Sequence, residues 1–373
     1  PGIHGVVMGL VYNADIIDGV KYKVPNTTDE LIDLTWELAN DIDLIVPTGI
    51  NKGNKIYPFI HYGTGDYWKR IYTQWQIQYD GLDYYYNNLL SLTDAEGNTP
   101  SKEVMLKQDG RYEAILVLDE LISQYTVFPG SNNLTYTLAQ TQFMNNAAVM
   151  MANGNWLINE MKSNTEATAT NLKLMRTPVI SSIIDKCPSI ENDAELSALI
   201  EKIDSDVAAN RPTSTSGDGY NCSAEDIARI REVRYYSVPS KDSGLLAIPK
   251  YSVAKDAAKE FVKFMYSDTA LSIWAQTMHS APVAKMQSAT IDTTGWLDFE
   301  KSAYELQQNE ITVLSEAVGY KSKMLTKGGL QVWGTSSIIT AMSQKERKDA
   351  DDVWTTFQTY VNTYWENALI NSN

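Results

Sequence analysis

Basic residues and long apolar runs are both scarce in this sequence. Its 373 residues include 31 Lys and Arg against 46 Asp and Glu, which gives a formal charge of -15, and no Lys/Arg-rich run occurs. A nucleic-acid-binding protein needs a basic face that neutralises phosphates, so this class is excluded. No run of 18 apolar residues is present, so the sequence predicts no membrane-spanning helix.

Cysteine and histidine are also rare. The two cysteines, Cys187 and Cys222, are too few for a disulfide framework, and the three histidines lie too far apart for metal-ligand spacing. In an exported protein the two cysteines could form one disulfide, and two free buried thiols are an equal alternative. Phosphate-loop, nucleophile-elbow and HExxH motifs are absent, so we expect no metal and no cofactor, and catalysis has no positive support.

Tyrosine and tryptophan are abundant instead. The sequence has 22 Tyr and 9 Trp but only 7 Phe. Tyr and Trp combine a flat apolar face with a hydrogen-bonding tip, which suits half-buried surfaces that contact a ligand better than it suits dry cores. A polar ligand with apolar faces, such as a sugar, fits this composition.

Strand-like and helix-like segments alternate along the chain. This alternation predicts an α/β protein with a largely parallel sheet. The predicted strands are 6–12, 42–46, 147–152, 172–175 and 245–248. The predicted helices begin with a capping box at Thr27–Glu30 and continue at 65–79, 111–125, 193–208, 223–234, 255–265, 298–317, 334–344 and 349–368, with a polar loop at 91–110.

Five segments in order carry a family resemblance. They are GLVYNADII from Gly9, VPNTTDELIDL from Val24, FMNNAAVMMANGNW from Phe143, SGLLAIPKYSVAKDAAKEFVKFMYSDTALSIW from Ser243 and HSAPVAK from His279. Together they resemble bacterial extracellular solute-binding proteins of ABC importers, of the maltodextrin-binding (sugar) type. The helices within 185–243 look like those of a Gram-positive clostridial branch of this family.

The resemblance implies a two-lobed, periplasmic-binding-protein-like fold of type II, with a hinge, a central cleft and a helical C-terminal tail. Residues 1–5 would cross the hinge, 6–243 would form lobe two with an insertion at 185–243, 244–315 would belong to lobe one, and 316–373 would return to lobe two. In this family, βαβ units of lobe one precede the GLVYN step. We therefore expect on the order of a hundred residues, one domain's worth, upstream of residue 1.

The resemblance also implies a function without catalysis. A mono- or oligosaccharide would bind between the lobes, and a monomeric receptor would deliver it to ABC transporter permease subunits. The protein would be extracytoplasmic: a Gram-positive cell-surface lipoprotein held by a lipid anchor on its N-terminal segment, or periplasmic in a Gram-negative cell. The alternatives are a binding protein for a peptide or polyamine and, from another class, a glycoside-processing enzyme with a carboxylate pair.

The expected ligand-binding residues are mostly aromatic. Trp156 corresponds to the tryptophan of the family's "G.W" segment, and it also follows a predicted strand and an Asn-Gly-Asn turn, where α/β folds bind ligands. At an arbitrary position such a Trp is more often core. At least one of Tyr67 and Trp68 should face the cleft, and Asp66 either binds sugar hydroxyls or caps the following helix. The remaining candidates are Asn155, Ser243 and Trp333.

Overall fold

The computed structural model describes most of the chain. The described residues are 6–63, 65–94, 100–163, 170–211, 222–239, 247–282, 284, 286, 291–314, 319–330 and 335–372, without the side chains of 319 and 335–337.

A four-stranded sheet forms the centre of the protein. Its strands are β1 (Met8–Asn13), β2 (Tyr57–Phe59), β3 (Ala148–Gly154) and β4 (Leu172–Met175), in the order β2-β3-β1-β4. β2 and β3 are parallel, whereas β1 is antiparallel to both β3 and β4. The predicted largely parallel sheet is therefore wrong for β1. A crossover helix between two strands is what makes them parallel, and no single crossover helix joins β1 to either of its neighbours. The alternation of strands and helices in the sequence therefore does not determine the direction of β1.

Both faces of this sheet are covered. All residues of β1 and β3 are buried. Leu10 and Met150 belong to the larger core cluster on one face, whereas Val11 and Met151 belong to a second cluster on the other face. This division follows the two-residue period of a strand. Two-sided burial explains why these strands read as continuous apolar runs in the sequence.

The larger core cluster lies under helices from the first half of the chain. These are α1 (Thr28–Asn40), α2 (Trp68–Asp80), α3 (Leu82–Tyr84), α4 (Lys102–Leu106) and α5 (Asp109–Leu121), with a π-helical turn at Tyr85–Leu89. The predicted cap of α1 is confirmed: the Thr27 hydroxyl accepts from the Glu30 amide at 3.2 Å. The Glu30 carboxylate in turn accepts from the Asn26 amide at 2.6 Å.

Two predictions in this half need correction. The segment 42–46 is not a strand, because it contributes only the single bridge Ile45–Lys55, and Ile42 is exposed. The Asp41 carboxylate accepts from the Asp43 amide at 3.0 Å and turns the chain there. The predicted loop 91–110 contains α4 and the start of α5, although residues 95–99 lie outside the described part.

The opposite face of the sheet and the insertion carry further helices. α6 (Tyr136–Met144) and the short α7 (Leu157–Glu160) flank β3, and 3-10 turns occupy Ser131–Asn133 and Ser181–Lys186. The insertion helices α8 (Asp193–Ala208) and α9 (Ala224–Arg234) are confirmed. Cys187 and Cys222 are free thiols, so no disulfide joins them, and burial raises the pKa of Cys187 to about 12.

The chain then passes through a second, two-stranded sheet. β5 (Tyr236–Ser237) pairs in parallel with β6 (Ile311–Thr312). Between them lie α10 (Lys255–Met265), which has the predicted bounds, α11 (Asp268–Met278) and α12 (Asp298–Gln308). α12 ends before the predicted 317 because β6 follows it, and its buried Phe299 and Ala303 join the sheet's second cluster. The predicted strand 245–248 lies partly outside the described residues, and its described residues 247–248 are not in a strand.

A helical tail completes the chain. It comprises α13 (Gly319–Thr326), α14 (Thr335–Ser343) and α15 (Ala350–Ser372), and α15 buries Phe357, Val361 and Trp365 in a third core cluster. None of the helices in the described ranges combines the length and apolar character needed to cross a bilayer.

Candidate functional site

Trp156 lies where β3 meets α7, at the carboxyl edge of the sheet. β3 ends at Gly154, and Trp156 immediately precedes α7. A Cβ atom at Gly154 would come within 2.2 Å of the indole ring, so the ring lies directly over the glycine. Trp156 is nevertheless only half-buried. The turn therefore folds the indole back over the end of the strand and leaves part of it open to solvent.

Three tyrosines surround this tryptophan. β2 is parallel to β3, so its carboxyl end reaches the same edge, and Tyr62 follows it there. The ring centroids of Tyr67 and Trp156 are 5.6 Å apart, and Tyr62 and Tyr136 each lie within 5.5 Å of Tyr67 in edge-to-face geometry. We call Tyr62, Tyr67, Tyr136 and Trp156 the aromatic cluster. All four side chains are half-buried, which suits a surface that a ligand covers.

Hydrogen bonds fix the orientation of these rings. The indole Nε1 of Trp156 donates to the Tyr136 hydroxyl at 2.8 Å, and that hydroxyl donates to the Glu160 carboxylate at 2.6 Å. The Gln140 amide donates to the same Glu160 oxygen at 2.9 Å. Because α6 supplies Tyr136 and Gln140, and Glu160 lies in α7, the two helices hold the cluster in one arrangement.

The cluster keeps its phenols uncharged. Burial raises the pKa of Tyr62 to about 12, with smaller contributions from Asp66 and Tyr67. Burial and the hydrogen bond to Glu160 also raise the pKa of Tyr136. The phenols are therefore neutral hydrogen-bonding groups near neutral pH, on rings whose faces are apolar. This chemistry matches a neutral ligand that has both hydroxyls and apolar C–H faces.

A buried histidine immediately precedes Tyr62 of the cluster in the chain. His61 is 2% exposed, and its Nδ1 lies 3.4 Å from the Tyr62 carbonyl. Burial lowers its pKa to about 4, so the ring is neutral at neutral pH. Within the described ranges, no group of three or more His, Cys, Asp or Glu side chains could hold a metal ion.

The ligand-binding residues predicted from the sequence do not all lie in one place. Tyr67 and Trp156 come together in the aromatic cluster, and the exposed Asp66 lies beside them. Asp66 does not cap α2, because the cap position is Tyr67, which makes no side-chain cap bond. Trp68 is 1% exposed and contacts Phe59 in the core, so of the pair Tyr67 and Trp68 only Tyr67 reaches the surface.

The other candidates connect to the cluster less directly. The Asn155 side chain donates to the Ser280 hydroxyl at 3.1 Å, and its backbone amide donates to the Val7 carbonyl at 3.1 Å. Asn155 therefore ties the turn before Trp156 to the segment that follows α11. Trp333 and Ser243 lie outside the described residues.

Sequence reasoning missed Tyr62, Tyr136 and Glu160. No local motif marks them, since they come from three separate parts of the chain and meet only through the sheet edge. The single sequence signal was the high tyrosine count.

Comparison with solved structures identifies the fold. No family model matches the chain, and no curated protein matches it. The chain is similar to apo RafE from Streptococcus pneumoniae, with 12% identity, a TM-score of 0.57, and coverage of 99% of this chain and 71% of RafE. For the bacterial solute receptor AcbH the identity is 15%, the TM-score 0.56 and the coverage 98% and 71%. A probable secreted solute-binding lipoprotein from Streptomyces coelicolor matches with 12% identity, a TM-score of 0.52 and coverage of 96% and 70%.

These similarities define the class of fold. The chain has the α/β fold of the two-lobed solute-binding proteins, including the predicted helical C-terminal tail. The residue bounds of the two lobes stay a prediction. Within that division, α12 packs against β4 of the lobe-two sheet although it lies in the segment 244–315.

Proposed function

We propose that this protein is the substrate-binding component of an ABC importer and captures a mono- or oligosaccharide between its lobes. The observation that carries this proposal is the half-buried aromatic cluster at the carboxyl edge of the sheet. Solute-binding proteins of the same fold include RafE, solved in complex with raffinose, and AcbH, which prefers β-D-galactopyranose.

The chemistry of the cluster favours a sugar over the alternative ligands. Aromatic faces cover the apolar C–H faces of a pyranose, while phenol and indole edges supply hydrogen bonds. A polyamine would require several carboxylates, and of the two beside the cluster, Asp66 and Glu160, Glu160 already accepts from Tyr136 and Gln140. A peptide or polyamine is the second candidate, and a glycoside-processing enzyme the third.

The proposed mechanism is selection of a closed state. A sugar that contacts both lobes only when they are closed shifts the population towards that state by its differential affinity. The permease subunits then recognise the closed form, with the receptor acting as a monomer. No bond is made or broken in this cycle, so the residues of the cluster bind and do not catalyse.

We also propose that polypeptide beyond these 373 residues completes lobe one. The chain covers 71% of RafE, and α10 has no buried residue. An upstream segment of about a hundred residues, one domain's worth, fits this difference. In this proposal the segment also carries the lipid anchor of a Gram-positive cell-surface lipoprotein of the clostridial branch, outside the cytoplasm.

A thermal-shift screen tests the function. Raffinose, galactose, xylotriose and chitotriose form the sugar panel, with spermidine and a tripeptide as competing ligands. A ligand at about 100 times its Kd stabilises the native state by about 2.7 kcal/mol. We expect at least one sugar to raise the Tm and to be recovered intact after incubation. A Tm rise with spermidine or the tripeptide alone, or release of sugar fragments, would contradict the proposal.

A further inference from the structure

A second, polar pocket lies at the same edge of the sheet, beneath the crossing strands β5 and β6. It is a cavity of about 20 Å³ whose walls include Val7, Gln74, Arg176, Ser237 and Glu310. We call it the hinge pocket. Arg176 directly follows β4, Ser237 ends β5, and Glu310 directly precedes β6. The pocket therefore joins the main sheet to the two strands through which the chain leaves and returns.

One buried polar atom in the walls of the hinge pocket, Gln74 Nε2, has no hydrogen-bond partner. The Glu310 carboxylate accepts from the Thr312 hydroxyl at 3.2 Å, and a hydrogen bond from Ser237 partly offsets the effect of burial on the pKa of Glu310. Gln74 is 3% exposed and Ser237 is 6% exposed, so bulk water does not solvate either side chain freely. A buried polar atom without a partner destabilises a fold, and proteins retain few of them. The unpartnered Gln74 amide in the wall of this cavity indicates that an occupant supplies its hydrogen bond.

The walls offer donors and acceptors together. The Gln74 amide and the Arg176 guanidinium donate, and the Glu310 carboxylate accepts. Arg176 lies over the Tyr235 ring at 4.4 Å, and burial lowers its pKa to about 10. Burial raises the pKa of Glu310. With opposite charges across one small space, the pocket favours a neutral group that both donates and accepts, as a hydroxyl does.

The hinge pocket is a neighbour of the aromatic cluster. β3 and β4 both run antiparallel to β1, so their carboxyl ends lie at the same edge. Val7, in the pocket wall, accepts through its carbonyl from the Asn155 amide at 3.1 Å, one residue before Trp156. Only β1 separates β3 from β4, and strands are about 4.8 Å apart, so the ends of the two strands that lead to these sites are on the order of 10 Å apart.

We propose that the hinge pocket binds a hydroxyl group of an oligosaccharide, another ring of which covers the aromatic cluster. A cavity of this size holds about one water molecule, and a hydroxyl replaces that water with the same donor and acceptor capacity. The proposal rests on the proposed sugar-binding function. It adds a second subsite, and it makes binding sensitive to the crossing strands between the lobes.

Substitution of Gln74 separates a binding role from a structural one. Calorimetric titration with raffinose, xylotriose and chitotriose identifies an oligosaccharide that binds the wild-type protein. For that sugar we expect Gln74→Met to reduce the affinity at least tenfold. The Tm of the free protein should stay the same or rise, because the change removes an unpartnered buried amide. Gln358→Met, at a half-buried position of α15, is the matched control and should leave the affinity unchanged.

Ser237→Ala and Glu310→Gln are independent variants that change the side-chain volume little. Each should lower the affinity for the same sugar. Suppose that the wild-type protein binds the sugar, that Trp156→Ala lowers the affinity, and that all three pocket variants bind with normal affinity. Such a result would overturn the hinge-pocket proposal alone. A lowered Tm with unchanged affinity also overturns it, since that result defines a structural role. If no sugar binds the wild-type protein, the proposed function fails and the hinge-pocket proposal fails with it.

Discussion

At the scale of single residues, Trp156 combines two roles. Its ring covers Gly154 and contacts the edge of Tyr67, and its indole N–H donates to Tyr136. A core tryptophan such as Trp75, at 0% exposure, has no surface left for a ligand. Trp156 keeps a solvent-exposed surface because it lies at the edge of the sheet, in the turn between the end of β3 and the start of α7.

We expect Trp156→Ala to weaken sugar binding about tenfold or more. Covering about a third of an aromatic surface of 150–250 Å² contributes roughly 1–2 kcal/mol to binding. The free energy of unfolding should fall by about 1–2 kcal/mol, because the half-buried ring loses its contacts with Tyr67 and Tyr136 without leaving a sealed cavity.

Calorimetric titration and urea unfolding measure these two quantities. Trp36→Ala is the matched control, since Trp36 is a half-buried tryptophan on α1 away from the cluster, and it should leave affinity unchanged. A Trp156→Ala protein with normal affinity and a loss of several kcal/mol in stability would show that Trp156 is a core residue.

His61 gives the stability of the fold a pH dependence. Its pKa falls from 6.5 to about 4 in the folded protein because burial disfavours the charged ring. The unfolded chain therefore takes up a proton near pH 6.5, whereas the folded chain does so only near pH 4. The stability contribution is fully present above pH 6.5, is lost as the pH falls towards 4, and amounts to about 3 kcal/mol.

Urea unfolding of wild type and His61→Gln at pH 7.5 and pH 4.5 checks this expectation. The wild-type protein should lose more unfolding free energy between the two values than the variant, because glutamine does not titrate. Parallel pH profiles for the two proteins would mean that His61 takes up its proton equally in the folded and unfolded states.

At the scale of elements, the helices α2 and α5 approach each other unusually closely. A Cβ atom at Gly110, in the first turn of α5, would lie 2.5 Å from the backbone carbonyl of Gln76 in α2. The Gly110 amide donates to the Asp80 carboxylate at 2.8 Å, which fixes the same contact. The lack of a side chain at Gly110 therefore allows α5 to pack this closely against α2.

Gly110→Ala should destabilise the protein by about 1–3 kcal/mol, the usual cost of overpacking. In an unobstructed helix the same change would stabilise by up to about 1 kcal/mol, so the sign of the effect identifies the close contact. Thermal unfolding measures it, and Leu116→Ala, at a partly exposed position of α5, serves as a control with a small effect. A raised Tm for Gly110→Ala would contradict the close approach.

Elements that depend on local signals were predictable from the sequence. α1 follows its capping box, and β4 and α10 have the predicted bounds, because caps and apolar periodicity act over a few residues. The direction of β1 and the failure of 42–46 as a strand were not predictable, since they depend on pairing with distant segments. Of the aromatic cluster, the sequence indicated Trp156 and Tyr67, whose contact with a ligand stays a prediction, whereas Tyr136 is defined only by its contacts across the fold.

At the scale of the whole molecule, the helices α10 and α11 expose apolar side chains. Phe261 is 56% exposed, Phe264 is 51% exposed and Ile273 is 60% exposed. Soluble monomers rarely leave such neighbouring apolar groups uncovered. This surface belongs to the segment assigned to lobe one, where we propose that further polypeptide packs.

We expect these 373 residues alone to self-associate and to bind a hydrophobic dye. Phe261→Glu with Phe264→Glu should reduce both effects, because the charges oppose burial of the face. Light scattering across a concentration series and dye fluorescence measure them. The control Tyr364→Glu alters a 48% exposed aromatic on α15 and should change neither. A protein that stays monomeric and binds no dye would contradict an uncovered face on α10 and α11.

The reversed central strand also determines the order in which the protein can assemble. β1 pairs Met8 with Gly154 and Leu10 with Met175, so both of its partners are more than a hundred residues away in sequence. Closing such long loops costs conformational entropy before any pairing compensates for it, and high contact order slows folding. Helices α1, α2 and α5 can form early, but the sheet remains split until β3 and β4 reach β1. β1 therefore pairs late although it precedes β2, β3 and β4 in the chain, and the edge that carries the aromatic cluster forms only after that step.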